Sequence, residues 1–299
     1  MSDSLLARAA EHWSQPSTAP ARSRWWQSRS VCRHINQRYC GTPAEGTHGG
    51  DIELLRKIAG GTRLERGISI GCGSGYHELK LLEADVVGHF TLYEISEKRA
   101  ADALQSARAM GLQDRVSIQV KDAIAEAPGP ACDLVYWKDA LHHMLDARAA
   151  VFWSWQALKP GGIFFANEFV GPTHMQYTDR QLDLAEKVRR SLPEKYLVDP
   201  RQPSKRVPMR RTRPDLATFL SVDPTECADS SNILPAIRAF FPEAMVLPTG
   251  GVVYMLALNE ILSNIHETED AALLQVLMLA DDLCIEAGET LYAVAHARR

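Results

Sequence analysis

The chain has 299 residues, of which 45% are hydrophobic and 23% charged, a composition typical of a globular protein. Its formal net charge of −4 argues against a general nucleic-acid binder, because such proteins carry a basic excess. No apolar run approaches the roughly 20 residues of a membrane span, and the N-terminus lacks the features of a signal peptide, so we expect a cytoplasmic protein. The six cysteines form no CxxC pair, which predicts reduced thiols and neither a disulfide framework nor a zinc site.

Residues 1–60 are predicted to form a helical cap. A short helix over Ser4–Trp13 precedes a Ser/Pro-rich linker, Ser14–Ser23, and then a segment rich in Trp and Arg, Arg24–Gly41. Asp51–Ala59 carries apolar residues at helical spacing and stops at a Gly-Gly pair, which predicts a second helix.

Between residues 61 and 170, short β-branched runs alternate with helical stretches. Strands are predicted at Ile68–Ile70, Phe90–Ile95, Val116–Val120, Leu134–Trp137 and Ile163–Val170. Helices are predicted at Glu78–Val87, Ser96–Met110 and Ala147–Leu158. This alternation is typical of βαβ units and therefore of a parallel sheet with helices on both faces.

The alternation stops over residues 171–243, which we interpret as an inserted substrate lid. A helix is expected at Asp179–Leu192, whereas Asp199–Pro214 is rich in Pro and Arg and is expected to lack regular structure. Residues 244–299 are predicted to complete the sheet with strands at Ala244–Leu247 and Thr290–Ala297, and with helices at Val252–Ile265 and Asp270–Ala287. The predicted fold is a Rossmann-like, mostly parallel, seven-stranded α/β sheet with an N-terminal cap and a lid.

A glycine-rich turn, GCGSG at Gly71–Gly75, directly follows the first predicted strand. Such a turn lets the backbone approach a ligand closely, with the next helix N-terminus pointing at that ligand. The dinucleotide fingerprint GxGxxG/A would place Gly or Ala at position 76, where this chain has Tyr76. The spacing GxGxG therefore disfavours a dinucleotide site.

Four further features follow the glycine turn in order. Glu94 ends the second strand, Asp122–Ala123 follow the third, Lys138–His143 (KDALHH) follow the fourth, and LKPGG at 158–162 precedes the fifth. With these features, residues 66–170 resemble the class I S-adenosylmethionine (SAM)-dependent methyltransferases. The resemblance implies that Glu94 holds the ribose hydroxyls and that Asp122 and Ala123 contact the adenine. The cofactor residues it implies are Gly71, Cys72, Gly73, Gly75, Glu94, Ile95, Asp122, Ala123, Lys138 and Asp139.

Methyl transfer is an in-line displacement, so catalysis mainly requires orientation, with a general base when the acceptor is a hydroxyl or a protonated amine. The candidate bases are His142 and His143, with His143 preferred, because neutral imidazole accepts a proton near pH 7. Glu168, at the end of the fifth strand, is a candidate for catalysis or for binding the acceptor. Asp139, Asn167 and Glu168 echo the Mg²⁺ site of catechol-type O-methyltransferases, but the order there is Asp-Asn and here Asn-Glu, so we predict no metal.

The substrate side is predicted from the cap and the lid. Candidate substrate residues are Trp25, Trp26, Arg33, His34, Asn36, Glu168 and Tyr177. Lys187–Arg213 contains ten Lys or Arg against two acidic residues, which favours either an anionic acceptor or a solvated loop. The sequence after residue 168 resembles bacterial methyltransferases of natural-product and polysaccharide pathways.

The signatures of methyltransferases acting on nucleic-acid bases, RNA cytosine and protein arginine are absent, which favours a small-molecule acceptor. We therefore predict transfer to N or O of a small polar or anionic metabolite in secondary metabolism, with no membrane partner. Two alternatives stay open: an RNA methyltransferase that grips phosphates with residues 187–213, and a non-catalytic SAM-fold scaffold or sensor. The acceptor's identity and the choice between monomer and homodimer are also open.

Overall fold

The computed structural model describes residues 3–15, 23–128 and 131–299. Most of the predicted linker at residues 14–23 therefore lies outside the described residues. The helices are α1 (Asp3–Ser14), α2 (Arg29–Cys40), α3 (Gly49–Ile58), α4 (Tyr76–Glu83), α5 (Glu97–Ala109), α6 (Ala147–Ala157), α7 (Asp179–Ser191), α8 (Leu216–Val222), α9 (Ile233–Phe240) and α10 (Ala271–Glu286). The strands are β1 (Leu64–Ile70), β2 (Val87–Glu94), β3 (Val116–Val120), β4 (Cys132–Lys138), β5 (Leu158–Phe169), β6 (Val198–Asp199), β7 (Gln202–Arg206), β8 (Met245–Gly250) and β9 (Tyr292–Arg298).

A seven-stranded sheet in the order β3-β2-β1-β4-β5-β9-β8 forms the centre of the protein. Neighbouring strands from β3 to β5 run parallel, and only β9 pairs antiparallel to its two neighbours. Helices surround the sheet, with two clusters of buried side chains packed between them. The predicted Rossmann-like, mostly parallel α/β fold is confirmed.

The carboxyl ends of β1, β2 and β4 meet at one edge, where strand order reverses between β1 and β4. Open α/β sheets bind ligands at this kind of switch point, because loops on the two sides diverge and leave a crevice. The glycine turn, Glu94 and the KDALHH segment all lie at this edge.

The prediction of one helix over Val252–Ile265 is wrong. The structure has one π-helical segment, Val252–Ala257, and a 3-10 turn at Leu262–Asn264. The buried guanidinium of Arg189 accounts for the break, because it donates to the carbonyl oxygens of Ala257 (2.7 Å) and Asn259 (3.1 Å). Those carbonyls are thereby drawn out of the helical hydrogen-bond pattern.

The expectation that Asp199–Pro214 lacks regular structure is also wrong in part, because β6 and β7 form a two-stranded hairpin. Ion pairs attach the following residues to α7: Arg210 contacts Asp183 and Glu186, and Arg213 contacts Asp179 at 2.8 Å. The predicted helix Glu78–Val87 instead begins at Tyr76 and ends at Glu83, since β2 already starts at Val87.

Candidate active site

The glycine turn between β1 and α4 has a backbone that only glycine adopts without strain. Gly71 and Gly75 have φ values of +68° and +72°. A Cβ on Gly71 would lie 3.0 Å from the Cβ of Ala140, and one on Gly75 would lie 3.2 Å from the Cβ of Ala103. The turn thus brings the backbone of β1 close to the segment after β4 and leads directly into the N-terminus of α4.

Glu94, at the end of β2, holds this turn in place. Its carboxylate accepts hydrogen bonds from the backbone N–H of Gly73 and of Ser96, each at 2.8 Å. Each carboxylate oxygen has a second lone pair, so these two bonds leave acceptor capacity for a ligand. Glu94 therefore links the glycine turn to β2 and can still accept hydrogen bonds from a diol.

A cavity of about 280 Å³ opens at this edge of the sheet. Nine of the ten predicted cofactor residues line it, namely Gly71, Cys72, Gly73, Glu94, Ile95, Asp122, Ala123, Lys138 and Asp139. Gly75 lies behind the wall as the N-cap of α4. Four of the five sequence features therefore converge on one cavity, although they span about seventy residues of chain. The fifth, LKPGG at 158–162, forms the start of β5 and does not line the cavity.

Asp139 projects into the cavity from the end of β4 with a backbone φ of +50°, a conformation that costs energy in a non-glycine residue. Burial raises the pKa of its carboxyl to about 6, against the opposing effect of the neighbouring Lys138 charge. A cationic ligand in the cavity would stabilise the ionised form. Strain and a raised pKa at one side chain mark this wall as a candidate functional site.

The cap contributes one wall that the sequence did not indicate. Trp13 of α1 lines the cavity, and its ring lies edge-on to the His143 ring with centroids 4.9 Å apart. The Arg99 side chain of α5, which also lines the cavity, donates to the backbone oxygen of Trp13 at 2.6 Å. The helix α1 is thus tied to the core beside the cavity.

Glu168 and His142 do not line the cavity. The Glu168 carboxylate is fully buried and accepts hydrogen bonds from the backbone N–H groups of Ala140 and Leu141, each at 2.8 Å. Its other oxygen accepts a 2.7 Å bond from His142 Nδ1. Although burial opposes it, this contact raises the pKa of His142 to about 9. Glu168 and His142 thus form an ion pair that fixes the turn carrying His143.

His143 does line the cavity, and its contacts define its tautomer. The Thr225 hydroxyl donates to Asp223 at 2.7 Å, so its oxygen must accept from His143 Nδ1, 3.3 Å away. The Nε2 lone pair is then free and lies 3.8 Å from a Glu226 carboxylate oxygen. Burial and the charge of His142 lower the pKa of His143, which keeps this imidazole neutral.

Asp223, Thr225 and Glu226 belong to the lid and were not predicted as site residues. Asp223 is buried, and its second carboxylate oxygen has no hydrogen-bond partner among the described residues. Two hydrogen-bond acceptors, His143 Nε2 and the Glu226 carboxylate, face each other. Neither can donate to the other, so a ligand that donates hydrogen bonds would satisfy both. A bound hydroxyl or amine would supply that donor.

A buried polar cluster supports the cavity from the side of α3. Asp51 is fully buried and accepts hydrogen bonds from the hydroxyls of Tyr39 (2.7 Å) and Tyr136 (2.6 Å) and from the amide of Asn167 (2.9 Å). Lys138 Nζ lies 3.5 Å from the same carboxylate. Burial lowers the pKa of the Lys138 ammonium, but the carboxylates around Lys138, with Asp51 contributing most, raise this pKa by more. The cluster joins α2, α3, β4 and β5 directly behind the cavity.

The predicted substrate residues in the cap do not reach the cavity. Trp25 and Asn36 line a narrow slot that shares Lys138 with the cavity. Arg33 pairs with Glu45 at 2.5 Å, and His34 contacts Asp282 at 3.0 Å. Trp26 is half exposed. Tyr177, the predicted substrate residue of the lid, is buried with its hydroxyl 3.6 Å from Met255 Sδ and does not line the cavity either.

Glu78 lies in α4 behind the glycine turn, where one carboxylate oxygen accepts from the Ser69 hydroxyl at 2.6 Å and the other has no partner among the described residues. Burial raises its pKa from 4.5 to about 7. The folded state therefore binds more protons than the unfolded state between these values, and stability falls as pH rises through this window. Between pH 4.5 and 7.5, titration of Glu78 should lower the free energy of unfolding of the original chain by up to about 3 kcal/mol. We expect this decrease to be absent in Glu78→Gln. Urea unfolding of the variant and of the original chain across that pH range measures this change. If the free energy of unfolding varied with pH equally in both proteins, the prediction would be wrong.

Comparison with known proteins identifies the core domain. Residues 68–164 match the family model of a methyltransferase domain. A 27-O-demethylrifamycin SV methyltransferase of Amycolatopsis mediterranei is 32% identical over 122 residues, which cover 39% of this chain and 44% of that protein. The chain thus matches less than half the length of this relative. Residues 68–164, which include the glycine turn, Glu94 and Asp122, are therefore similar to a methyltransferase domain.

Solved structures share the fold of this chain at low sequence identity. A geranyl diphosphate C-methyltransferase from Streptomyces coelicolor A3(2) superposes with a TM-score of 0.57 at 12% identity, over 100% of this chain and 99% of that one. A phosphoethanolamine N-methyltransferase 2 from Haemonchus contortus, in complex with S-adenosyl-L-methionine, gives 0.53 at 14% identity, over 95% and 60%. At these identities the likeness shows the fold alone. None of the helices in the described ranges is long and apolar enough to cross a membrane.

The chemistry of the cavity fits SAM, the cofactor that the sequence resemblance implies. SAM combines a diol and an adenine with an ammonium and a sulfonium. The cavity offers Glu94 with spare acceptor capacity, the Asp122 carboxylate, and Asp139 as an anionic group without a hydrogen-bond partner among the described residues. Gly73 and the other turn residues let the ligand approach the backbone.

Proposed function

We propose that this chain is a SAM-dependent methyltransferase that transfers a methyl group to N or O of a small polar or anionic metabolite. One observation carries the proposal: the glycine turn, Glu94, Asp122 and Asp139 line the same cavity as His143. When bound, SAM supplies a methyl group on a positively charged sulfur, which makes that methyl electrophilic. The protein's residues must then orient an acceptor and take its proton.

The proposal assigns one cofactor contact to each of three cavity residues. Glu94 accepts hydrogen bonds from the ribose hydroxyls with the lone pairs that Gly73 and Ser96 leave free. Asp122, held as the N-cap of the next turn by Ile124 N–H at 3.0 Å, faces the adenine. Asp139 faces the ammonium, which would favour its ionised state.

The acceptor is proposed to bind beside His143 and Glu226. A hydroxyl or amine there donates to His143 Nε2, which is free because Nδ1 is committed to Thr225. His143 then takes the proton, and the carboxylates of Asp223 and Glu226, 3.9 and 3.8 Å from the ring nitrogens, stabilise the resulting imidazolium. Glu168 and His142 act as positioning residues, because they hold the turn and do not line the cavity.

The relative named above is a methyltransferase of a rifamycin, and this supports an acceptor from secondary metabolism. A screen of a metabolite library for S-adenosylhomocysteine release tests the proposal. We expect release with hydroxylated or aminated metabolites and none without an acceptor. A chain that binds SAM yet releases no S-adenosylhomocysteine with any acceptor would favour a scaffold or sensor instead.

Replacing Glu94 by Ala is expected to weaken S-adenosylhomocysteine binding by about 1–3 kcal/mol, because it leaves the ribose diol unpaired, or about five- to 150-fold in Kd. It also frees the N–H of Gly73, so the turn itself loses a restraint. Titration calorimetry of the variant and the original chain measures the effect. Glu97→Ala, a few residues away and outside the cavity lining, is the control and should leave Kd unchanged. An unchanged Kd for Glu94→Ala would refute the ribose assignment.

A further inference from the structure

A second cavity, of about 490 Å³, lies between the cap, the β6–β7 hairpin and the segment after the π-helix. We call it the basic pocket, because six cationic side chains line it: Arg24, Arg201, Lys205, Arg206, Arg210 and Arg211. Only two acidic residues, Asp199 and Glu260, share the lining. The basic pocket shares no lining residue with the proposed SAM cavity.

Ion pairs neutralise only part of this charge. Arg206 pairs with Glu194 at 2.6 Å, Arg211 with Glu260 at 2.7 Å, and Arg210 with acidic residues of α7. By contrast, Arg201 and Lys205 have no side-chain partner in the part of the chain that the structure describes. The pocket therefore keeps a positive excess in a protein whose net charge is −4.

Arg24 adds a third cation without an acidic partner. Its guanidinium donates to the neutral amide oxygen of Asn259 at 2.8 Å, and within the described ranges no carboxylate lies within 4.0 Å of it. This bond orients the side chain on the wall of the pocket and leaves its charge uncompensated. One of the five guanidinium N–H groups is used here, which leaves four for a ligand or for water.

A buried charge lies directly behind the floor of the pocket. The Arg189 side chain is fully buried and donates to the backbone oxygens of Pro208 (2.5 Å) and Asn259 (3.1 Å), two residues that line the pocket. Burial lowers the pKa of Arg189 to about 10, which still leaves it charged at neutral pH. No carboxylate lies within 4.0 Å of it among the described residues. A charge in a low-dielectric interior is poorly screened, so its field reaches into the pocket.

We propose that the basic pocket binds a diphosphate or phosphate ester group of a small molecule. Guanidinium groups match phosphate oxygens bidentately, and several of them around one concave site suit a group carrying more than one negative charge. A cavity of about 490 Å³ is of the size that encloses a small-molecule ligand. This site does not depend on the proposed methyl transfer, because binding can be measured without SAM or an acceptor.

Calorimetric titration of the full chain with inorganic pyrophosphate at low ionic strength tests the proposal. We expect saturable binding that weakens at least tenfold in the double variant Arg201→Gln/Lys205→Gln, whose side chains make no contacts that the fold needs. Lys187→Gln, an exposed cation of α7 outside the pocket, is the matched control and should change Kd less than twofold. Unchanged melting temperatures would show that the variants fold.

Three results would overturn the proposal. The first is no saturable binding of pyrophosphate, and the second is equal weakening in the control and the double variant. The third is a single-stranded RNA oligonucleotide that binds more tightly than pyrophosphate and loses that affinity in the double variant, because this would assign the pocket to an RNA backbone. S-adenosylhomocysteine binding should be unchanged in the double variant, so failure here is distinguishable from failure of the proposed methyl transfer.

Discussion

Replacing His143 by Ala is expected to lower kcat by about 10²- to 10⁴-fold, the usual contribution of a positioned general base. Among the described residues, two imidazoles line the cavity, those of His77 and His143, and of these only His143 contacts Thr225 and has a ring nitrogen facing Glu226. Removing it leaves only carboxylates, which are weaker bases than a neutral imidazole, at that wall to take the acceptor's proton. The measurement is the steady-state rate of S-adenosylhomocysteine release with an acceptor found by the screen.

Two controls separate a chemical role of His143 from a structural one. S-adenosylhomocysteine should bind the variant within about twofold of the original affinity, since the proposed cofactor contacts lie on the other walls. His266→Ala, at an exposed position, should leave the rate unchanged. Because the pKa of His143 is lowered, kcat/KM should hold its plateau to a pH below the ordinary imidazole pKa of 6.5. A His143→Ala chain with full activity would rule out the base.

Replacing Asp51 by Asn is expected to reduce the free energy of unfolding by about 3–5 kcal/mol, the cost of leaving a buried charge without its partner. Asp51 is the nearest acidic group to the buried Lys138 ammonium, at 3.5 Å. An amide in its place also cannot accept both tyrosine hydroxyls with the same strength. Urea unfolding measures the loss.

The double variant Asp51→Asn/Lys138→Met identifies the cause of that loss. Removing the ammonium as well eliminates the uncompensated charge, so the double variant should be more stable than Asp51→Asn alone. Asp114→Asn, at an exposed position, is the matched control and should stay within about 0.5 kcal/mol of the original. A double variant less stable than Asp51→Asn would show that the hydroxyl and amide contacts, and not the ion pair, carry the stability.

The sheet and the cofactor edge were predictable from sequence because their signals are local. Val116–Val120 has a β-branched residue at every second position and forms β3 over the same residues. Ser96 caps α5 because its hydroxyl accepts a hydrogen bond from the N–H of Arg99 at 3.2 Å. Strands, caps and glycine turns depend on neighbours a few residues away, and their order then places Glu94 and Asp122 at one edge. The fold followed from these local signals together with the family resemblance.

The acceptor side was not predictable because its contacts join distant parts of the chain. His143 and Thr225 are 82 residues apart, and Asp51 and Asn167 are 116 apart. In the sequence, Asp223 and Glu226 look like ordinary residues of the lid. The one available signal for a polar site was the segment DPTE at 223–226, which places two carboxylates and a hydroxyl within four residues. The break at residues 257–259 likewise depends on Arg189, 68 residues earlier.

Glu168 illustrates the difference between a strand end and a cavity wall. Its position at the end of β5 predicted a catalytic or acceptor-binding carboxylate, but the side chain turns inward and accepts hydrogen bonds from two backbone N–H groups and His142. The position at the strand end correctly predicted that Glu168 lies near the site, since its carboxylate contacts the turn that carries His143. The direction in which its side chain points depends on packing, and the spacing of strands in the sequence does not encode that packing.

Titration of the full chain with S-adenosylhomocysteine tests the central claim most directly, because it needs no knowledge of the acceptor. The geometry of the cavity predicts saturable binding of about one molecule per chain, with SAM competing for the same site and Glu94→Ala weakening both. Absence of binding heat, confirmed by an unchanged melting temperature at saturating ligand, would contradict the assignment of Gly71–Gly75 and Glu94 to a cofactor site.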